Sequence, residues 1–96
     1  MQNTWLSVVI PSYNELANVR HGVLDEVILY LKKQSYSWEL ILTDDGSTDG
    51  TLEVFQEYIK KYSNVRLLAN SHRGKGPTVS VGMMSAVGEI RLFTDF

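Results

Sequence analysis

The sequence predicts an α/β fold: a Rossmann-like, three-layer domain on a parallel sheet of order 3-2-1-4. Three observations carry this. Short apolar runs alternate with helical patterns as β-α-β-α-β-α-β, without repeat or linker. That alternation implies parallel strands joined by right-handed crossovers. The runs are apolar throughout, as strands covered on both faces are. Finally, Leu40-Ile41-Leu42-Thr43 flows into Asp44-Asp45-Gly46-Ser47. This puts acids and a turn at a strand's carboxyl end, where open α/β sheets bind ligands.

The elements follow in order. Leu6-Ser7-Val8-Val9-Ile10 is β-branched and apolar, and Pro11 stops it, which makes a first strand. Leu16, Val19, Val23, Val27 and Leu31 recur at helical spacing, so one amphipathic helix is expected over roughly residues 15–34. Lys32 and Lys33 suit its last turn. Residues 38–43 form the second strand. Leu52, Phe55, Ile59 and Tyr62 mark a second helix, capped by Thr48 or Asp49. Residues 65–69 form a short third strand. Pro77 fits the first turn of a third helix, whose apolar face is Val79, Met83, Ala86 and Val87 and which Gly88 ends. Residues 90–94 form the fourth strand. It runs to Phe96 without a turn or polar tail, as expected of a piece of a longer protein. In the order 3-2-1-4 the switch point lies between strands 1 and 4. The ends of strands 1, 2 and 4 then converge on one crevice.

Composition narrows the function. Ninety-six residues make one small domain, and a net charge of −2 argues against nucleic-acid binding. Without cysteine, disulfides and thiolate metal sites are excluded. No apolar run approaches the ~20 residues that span a bilayer, and the start has no secretory pattern. A reducing, cytoplasmic-side compartment is the expectation.

The crevice residues suggest chemistry. Two adjacent unpaired carboxylates are too costly to bury, so at least one of Asp44 and Asp45 is expected at the surface. A turn accounts for Gly46, Ser47 and Asp49, but less well for two acids at a strand end. Asp45 in particular can accept from a nucleobase N–H. Tyr13, in the polar loop after strand 1, either packs on the first helix or stacks on a base, a contact worth ~1–3 kcal/mol. Residues 70–77 match neither a Walker A loop nor G-x-G-x-x-G. They form a basic loop at a helix N-terminus, a place that suits anions, where Arg73 or Lys75 would meet a diphosphate; a solvated loop is the alternative. His21 and His72 read as surface histidines, and Met83, Met84, Trp5 and Trp38 as core. Asp95 either caps a turn or supplies a hard oxygen ligand for Mg²⁺ or Mn²⁺.

Together, Val8-Val9-Ile10-Pro11-Ser12-Tyr13-Asn14-Glu15, Asp44-Asp45-Gly46-Ser47-Thr48-Asp49-Gly50-Thr51, Gly74-Lys75-Gly76, Gly82, Gly88-Glu89-Ile90 and Phe93-Thr94-Asp95 resemble the family 2 glycosyltransferases of GT-A fold. Within that family they are most similar to the branch making dolichyl- or polyprenyl-phosphate sugars. The resemblance covers nearly the whole chain. It implies that Pro11, Tyr13, Glu15 and Asp45, with Asp44 as the weaker member of its pair, hold the nucleoside of a UDP- or GDP-sugar. It places Lys75 near the base or diphosphate. It makes Asp95 the first acid of a D-x-D motif that holds Mg²⁺ or Mn²⁺, with Phe96 in the middle. It further implies an inverting transfer to an acceptor such as a polyprenyl or dolichyl phosphate, and a full-length protein associated with the cytoplasmic face of a membrane. These residues would supply the donor half alone, without the catalytic base.

Two other readings compete. A nucleotidyltransferase typically presents a glycine-rich basic loop after strand 1, which residues 11–15 lack. A receiver-like phosphoacceptor domain expects an acidic pair after strand 1 and an acid after strand 3, where this chain has Ala69-Asn70-Ser71.

Overall fold

The computed structural model describes residues 3–96. The chain runs β1 (Leu6–Ser12), α1 (Leu16–Arg20), α2 (Val23–Lys32), β2 (Trp38–Asp44), α3 (Thr51–Lys61), β3 (Val65–Ala69), α4 (Lys75–Ser85) and β4 (Ile90–Phe93). The four strands form one sheet in the order β3-β2-β1-β4, and every pairing is parallel. The predicted architecture is therefore the observed one. Register runs Leu6↔Trp38 to Ser12↔Asp44 between β1 and β2, and Leu6↔Ile90 to Val9↔Phe93 between β1 and β4.

Strand periodicity divides the core. Val8, Ile10, Leu40 and Leu42 face Val19, Leu24, Ile28, Leu31 and Phe55 of α1, α2 and α3. Val9 and Ile41 face the other way, with Ala86 and the flank of Met83 against them. Helix α4 lies close on that second face. A Cβ on Gly82 would come within 2.5 Å of Val9 Cγ1 and 3.0 Å of Thr43 Cγ2. Strands β1 and β2 are buried nearly throughout, whereas β4 is exposed along its length.

Several local expectations change. The single helix over residues 15–34 is two, broken at His21-Gly22, where Gly22 takes φ 87°. A left-handed residue restarts the helical phase, so Leu24 and Ile28 are buried in place of Val23 and Val27. Neither Thr48 nor Asp49 occupies the N-cap of α3. Gly50 does, with φ 99°, while Asp49 accepts from the Thr51 backbone N–H at 3.1 Å. Gly88 does not end α4, which stops at Ser85. Its small size matters elsewhere: a Cβ there would meet Ser7 Oγ at 2.6 Å and Ser7 N at 2.7 Å. Strand β1 runs on through Pro11 to Ser12, and β4 stops at Phe93. Met84 is exposed, as is Trp5, which stacks at a tilt on Tyr36.

At the amino ends of the strands lies a buried polar network. Glu39 accepts from Ser7 Oγ at 2.5 Å, from Arg66 Nη2 at 2.9 Å and from the Val87 N–H at 2.8 Å. Arg66 also donates to the Ser85 hydroxyl and carbonyl. Burial pushes the Glu39 carboxyl up, but the bonds from Ser7, Val87 and Arg66 outweigh it and hold it below its ordinary value. The network fastens the α4–β4 connection to β1, β2 and β3.

Candidate functional site

A cavity of about 350 Å³ opens at the carboxyl ends of β1, β2 and β4. Its walls include Pro11 near the end of β1, Tyr13 and Glu15 after it, Asp45 after β2, His72 from the loop into α4, Lys75 at the start of α4, and Asp95 after β4. Of the eight site residues singled out from sequence, six thus share one cavity; Asp44 does not line it, and Arg73 lines a neighbouring one with Asn70, Ser71 and Pro77.

The two acids separate because successive strand residues point to opposite faces. Asp44 continues the parity of Leu40 and Leu42. It is fully buried and accepts from Ser12 Oγ at 2.7 Å, Ser47 N at 2.7 Å and Ser47 Oγ at 2.6 Å. Asp45 continues the parity of Ile41 and Thr43, toward α4. It too is buried, at 4 % exposure. The expectation that both acids could not be buried is corrected: each is fully partnered, which removes the penalty.

Asp45 Oδ1 accepts from the Arg73 N–H at 2.7 Å, and Oδ2 from the Gly74 N–H at 3.0 Å. His72 Nδ1 lies 2.9 Å from Oδ2. The Arg73 N–H holds the carboxyl below its ordinary value against the opposing effect of burial, and Gly74 and His72 act in the same direction. Asp45 therefore also anchors the basic loop at the N-terminus of α4.

The remaining residues of the Asp44–Thr51 stretch clamp the loop after β1. Ser47 Oγ accepts from Asn14 N at 2.8 Å, and Asn14 Oδ1 accepts from Thr48 N at 2.8 Å. Thr51 Oγ1 accepts from Glu15 N at 3.1 Å, and Asp49 Oδ2 from Leu16 N at 3.2 Å. Asn14 adopts φ 52°, a turn that asparagine tolerates. This clamp holds Tyr13 out over the cavity, 45 % exposed. Its ring stacks on His72 with centroids 4.4 Å apart and planes 25° from parallel.

His72, read from sequence as a surface histidine, is thus a wall of the cavity. Ser12 and Thr78 were also missed as lining residues. Only their positions at the end of β1 and in the first turn of α4 could have suggested them.

Lys75 Nζ pairs with Asp95 Oδ1 at 2.6 Å, and both side chains are exposed. Among the described residues no three histidine or acidic side chains converge as a metal site. Asp95 is one hard oxygen donor. Mg²⁺ commonly takes one or two carboxylates and completes its shell with substrate phosphates and water. The donor set fits a cation shared with a bound diphosphate, and not one held by the chain alone.

The profile of glycosyl transferase family 2 matches residues 7–95. The chain belongs to glycosyl transferase family 2. It is 40% identical over 98 residues to a dolichyl-phosphate beta-glucosyltransferase of Mus musculus, covering 94% of this chain and 30% of that protein. It is 38% identical over 103 residues to the enzyme of that name from Dictyostelium discoideum, covering 99% and 31%. Among solved structures, a mannosyltransferase from Pyrobaculum calidifontis in complex with GDP-Man and Mn²⁺ superposes with a TM-score of 0.78 at 26% identity, covering 99% of this chain and 28% of that one. Staphylococcus aureus TarS in complex with UDP superposes with a TM-score of 0.73 at 30% identity, covering 96% and 27%. The chain spans under a third of the length of each of these proteins. These matches favour the family 2 reading over a receiver-like domain or a nucleotidyltransferase. No helix among the described residues is long and apolar enough to cross a membrane.

Proposed function

We propose that these residues are the donor-binding portion of a longer, inverting glycosyltransferase that moves a glucosyl group from a UDP- or GDP-sugar to a dolichyl or polyprenyl phosphate. The observation that carries the reading is the cavity itself. An exposed aromatic face (Tyr13), a directional acceptor (Asp45), a cation (Lys75) and a hard carboxylate (Asp95) line one 350 Å³ space. A nucleoside diphosphate offers the matching groups: a flat base with N–H donors and two charged phosphates. The dolichyl-phosphate glucosyltransferases that the chain is similar to supply the sugar and acceptor class.

In this reading Tyr13 and Asp45 take the base, with Pro11 and Glu15 beside them. Asp44 acts behind them, through the loop it fastens. Lys75 faces the diphosphate. Asp95 would hold Mg²⁺ or Mn²⁺, and a cation there would neutralise charge on the departing diphosphate. A dolichyl or polyprenyl phosphate, whose second ionisation lies at about pH 6, already presents an anionic oxygen to the sugar carbon at neutral pH. A dolichyl phosphate lies in a membrane, so the enzyme would work at a membrane surface, on its cytoplasmic face.

Calorimetric titration of the full-length protein with UDP and GDP, beside glucosyl transfer to dolichyl phosphate with and without EDTA, tests this. One nucleotide should bind. Asp95→Ala and EDTA should each abolish transfer while nucleoside binding persists, because base recognition needs no cation. If neither nucleotide binds, the reading fails. Full transfer in EDTA would remove the metal role alone.

A further inference from the structure

His72 makes two contacts, and both are contacts a nucleobase would make. Its ring lies flat on Tyr13 at 4.4 Å. Its Nδ1 faces two oxygens of Asp45, the carboxylate Oδ2 at 2.9 Å and the backbone carbonyl at 3.0 Å. Neither oxygen carries a hydrogen, so Nδ1 does, and it donates. The other groups bonded to the Asp45 carboxylate are the backbone N–H groups of Arg73 and Gly74 and the buried Thr78 side chain, all built into the start of α4. His72 alone among them bonds through a largely exposed side chain. A base that stacks on this face of Tyr13 and donates to Asp45 Oδ2 takes the imidazole's place on both.

We propose that His72 is a built-in competitor of the nucleobase, taking the base position on Tyr13 and Asp45 and swinging out when nucleotide binds. The inference rests on the nucleotide reading above and adds to it a determinant of affinity. The apparent affinity of a site falls by the fraction of molecules in the competent state. With the imidazole seated in about nine molecules of ten, binding weakens about tenfold.

Titration of the full-length protein with UDP and GDP tests this. His72→Ala should bind about tenfold tighter than wild type. His72→Phe keeps a ring on Tyr13 without a hydrogen for Asp45, and should fall between the two. In NMR spectra of the wild type, the His72 ring protons should lose the Tyr13 ring-current shift when nucleotide is added. Weaker binding by His72→Ala would overturn the proposal, because the imidazole would then be a wall supporting the base. An unmoved His72 resonance in the bound state would overturn it too. So would equal affinities of wild type and His72→Ala; this leaves the nucleotide reading intact. No binding by wild type or variants would instead remove that reading and the competitor with it.

Discussion

Replacing Asp44 and Asp45 in turn by asparagine should separate their roles. Asp44 Oδ1 faces two hydroxyls, Ser12 and Ser47, and Oδ2 faces the Ser47 N–H. An amide fits that set. Its NH₂ points at two hydroxyl oxygens, which can rotate to accept, and its oxygen stays on the N–H. The cost is loss of charge assistance, at most about 1.5 kcal/mol. Asp44→Ala is different. It orphans the buried Ser12 hydroxyl, whose bond to a charged group is worth about 1.5–3 kcal/mol, while half-buried Ser47 partly rehydrates. A total of about 2–4 kcal/mol follows. Asp45 has no such escape, because two of its donors are backbone N–H groups that cannot reverse. An amide there sets NH₂ against N–H, loosens the loop after β3 and loses acceptor strength toward a base. Urea unfolding of the full-length protein and UDP or GDP titration give the two readouts. Asp44→Asn should shift the midpoint slightly and keep nucleotide affinity; Asp45→Asn should lose about tenfold or more in affinity, one charged hydrogen bond's worth. Equal losses of binding from both would refute this separation, and Asp44→Asn as destabilised as Asp44→Ala would refute the rotating-hydroxyl argument.

Glu39 makes stability fall in acid. Its folded-state value lies below its ordinary 4.5, so its stabilisation is present above that pH and is lost as pH falls through the folded value. Glu39→Gln should flatten that acid limb in unfolding experiments from about pH 6 to 2. Gly82→Ala should cost about 1–3 kcal/mol, despite alanine's better helix propensity, because its methyl meets Val9 and Thr43. Thermal denaturation would show it as a lowered midpoint.

The sheet order was legible because each strand is a compact apolar run and the chain alternates faithfully. The convergence of Tyr13, Asp45 and Asp95 followed from that order, since strand ends at a switch point must meet. The split between Asp44 and Asp45 was also present in the residues. Parity along Leu40-Ile41-Leu42 sends one acid toward each face. The break at Gly22 was hidden by apolar residues that keep helical spacing across it. His72 was not legible. Its partner Asp45 is 27 residues away, and only the folded path of the loop after β3 brings them together.

A platform that is exposed must be held by something other than apolar packing. Tyr13 has little core around it, so its position depends on the hydrogen bonds beneath it: Asp45 N to Ser12 O at 2.8 Å, Asn14 N to Ser47 Oγ, and Thr48 N to Asn14 Oδ1. Asp44 fixes Ser47 in turn. The acids and hydroxyls after β2 thus work at one remove from a ligand. They order the loop before binding, and ordering in advance lowers the entropic cost of binding. The turn reading therefore accounts for most of this stretch, and the proposed binding role falls to Asp45 alone. Asp45 meets the cavity, while Asp44, Ser47, Thr48, Asp49 and Thr51 shape it from below.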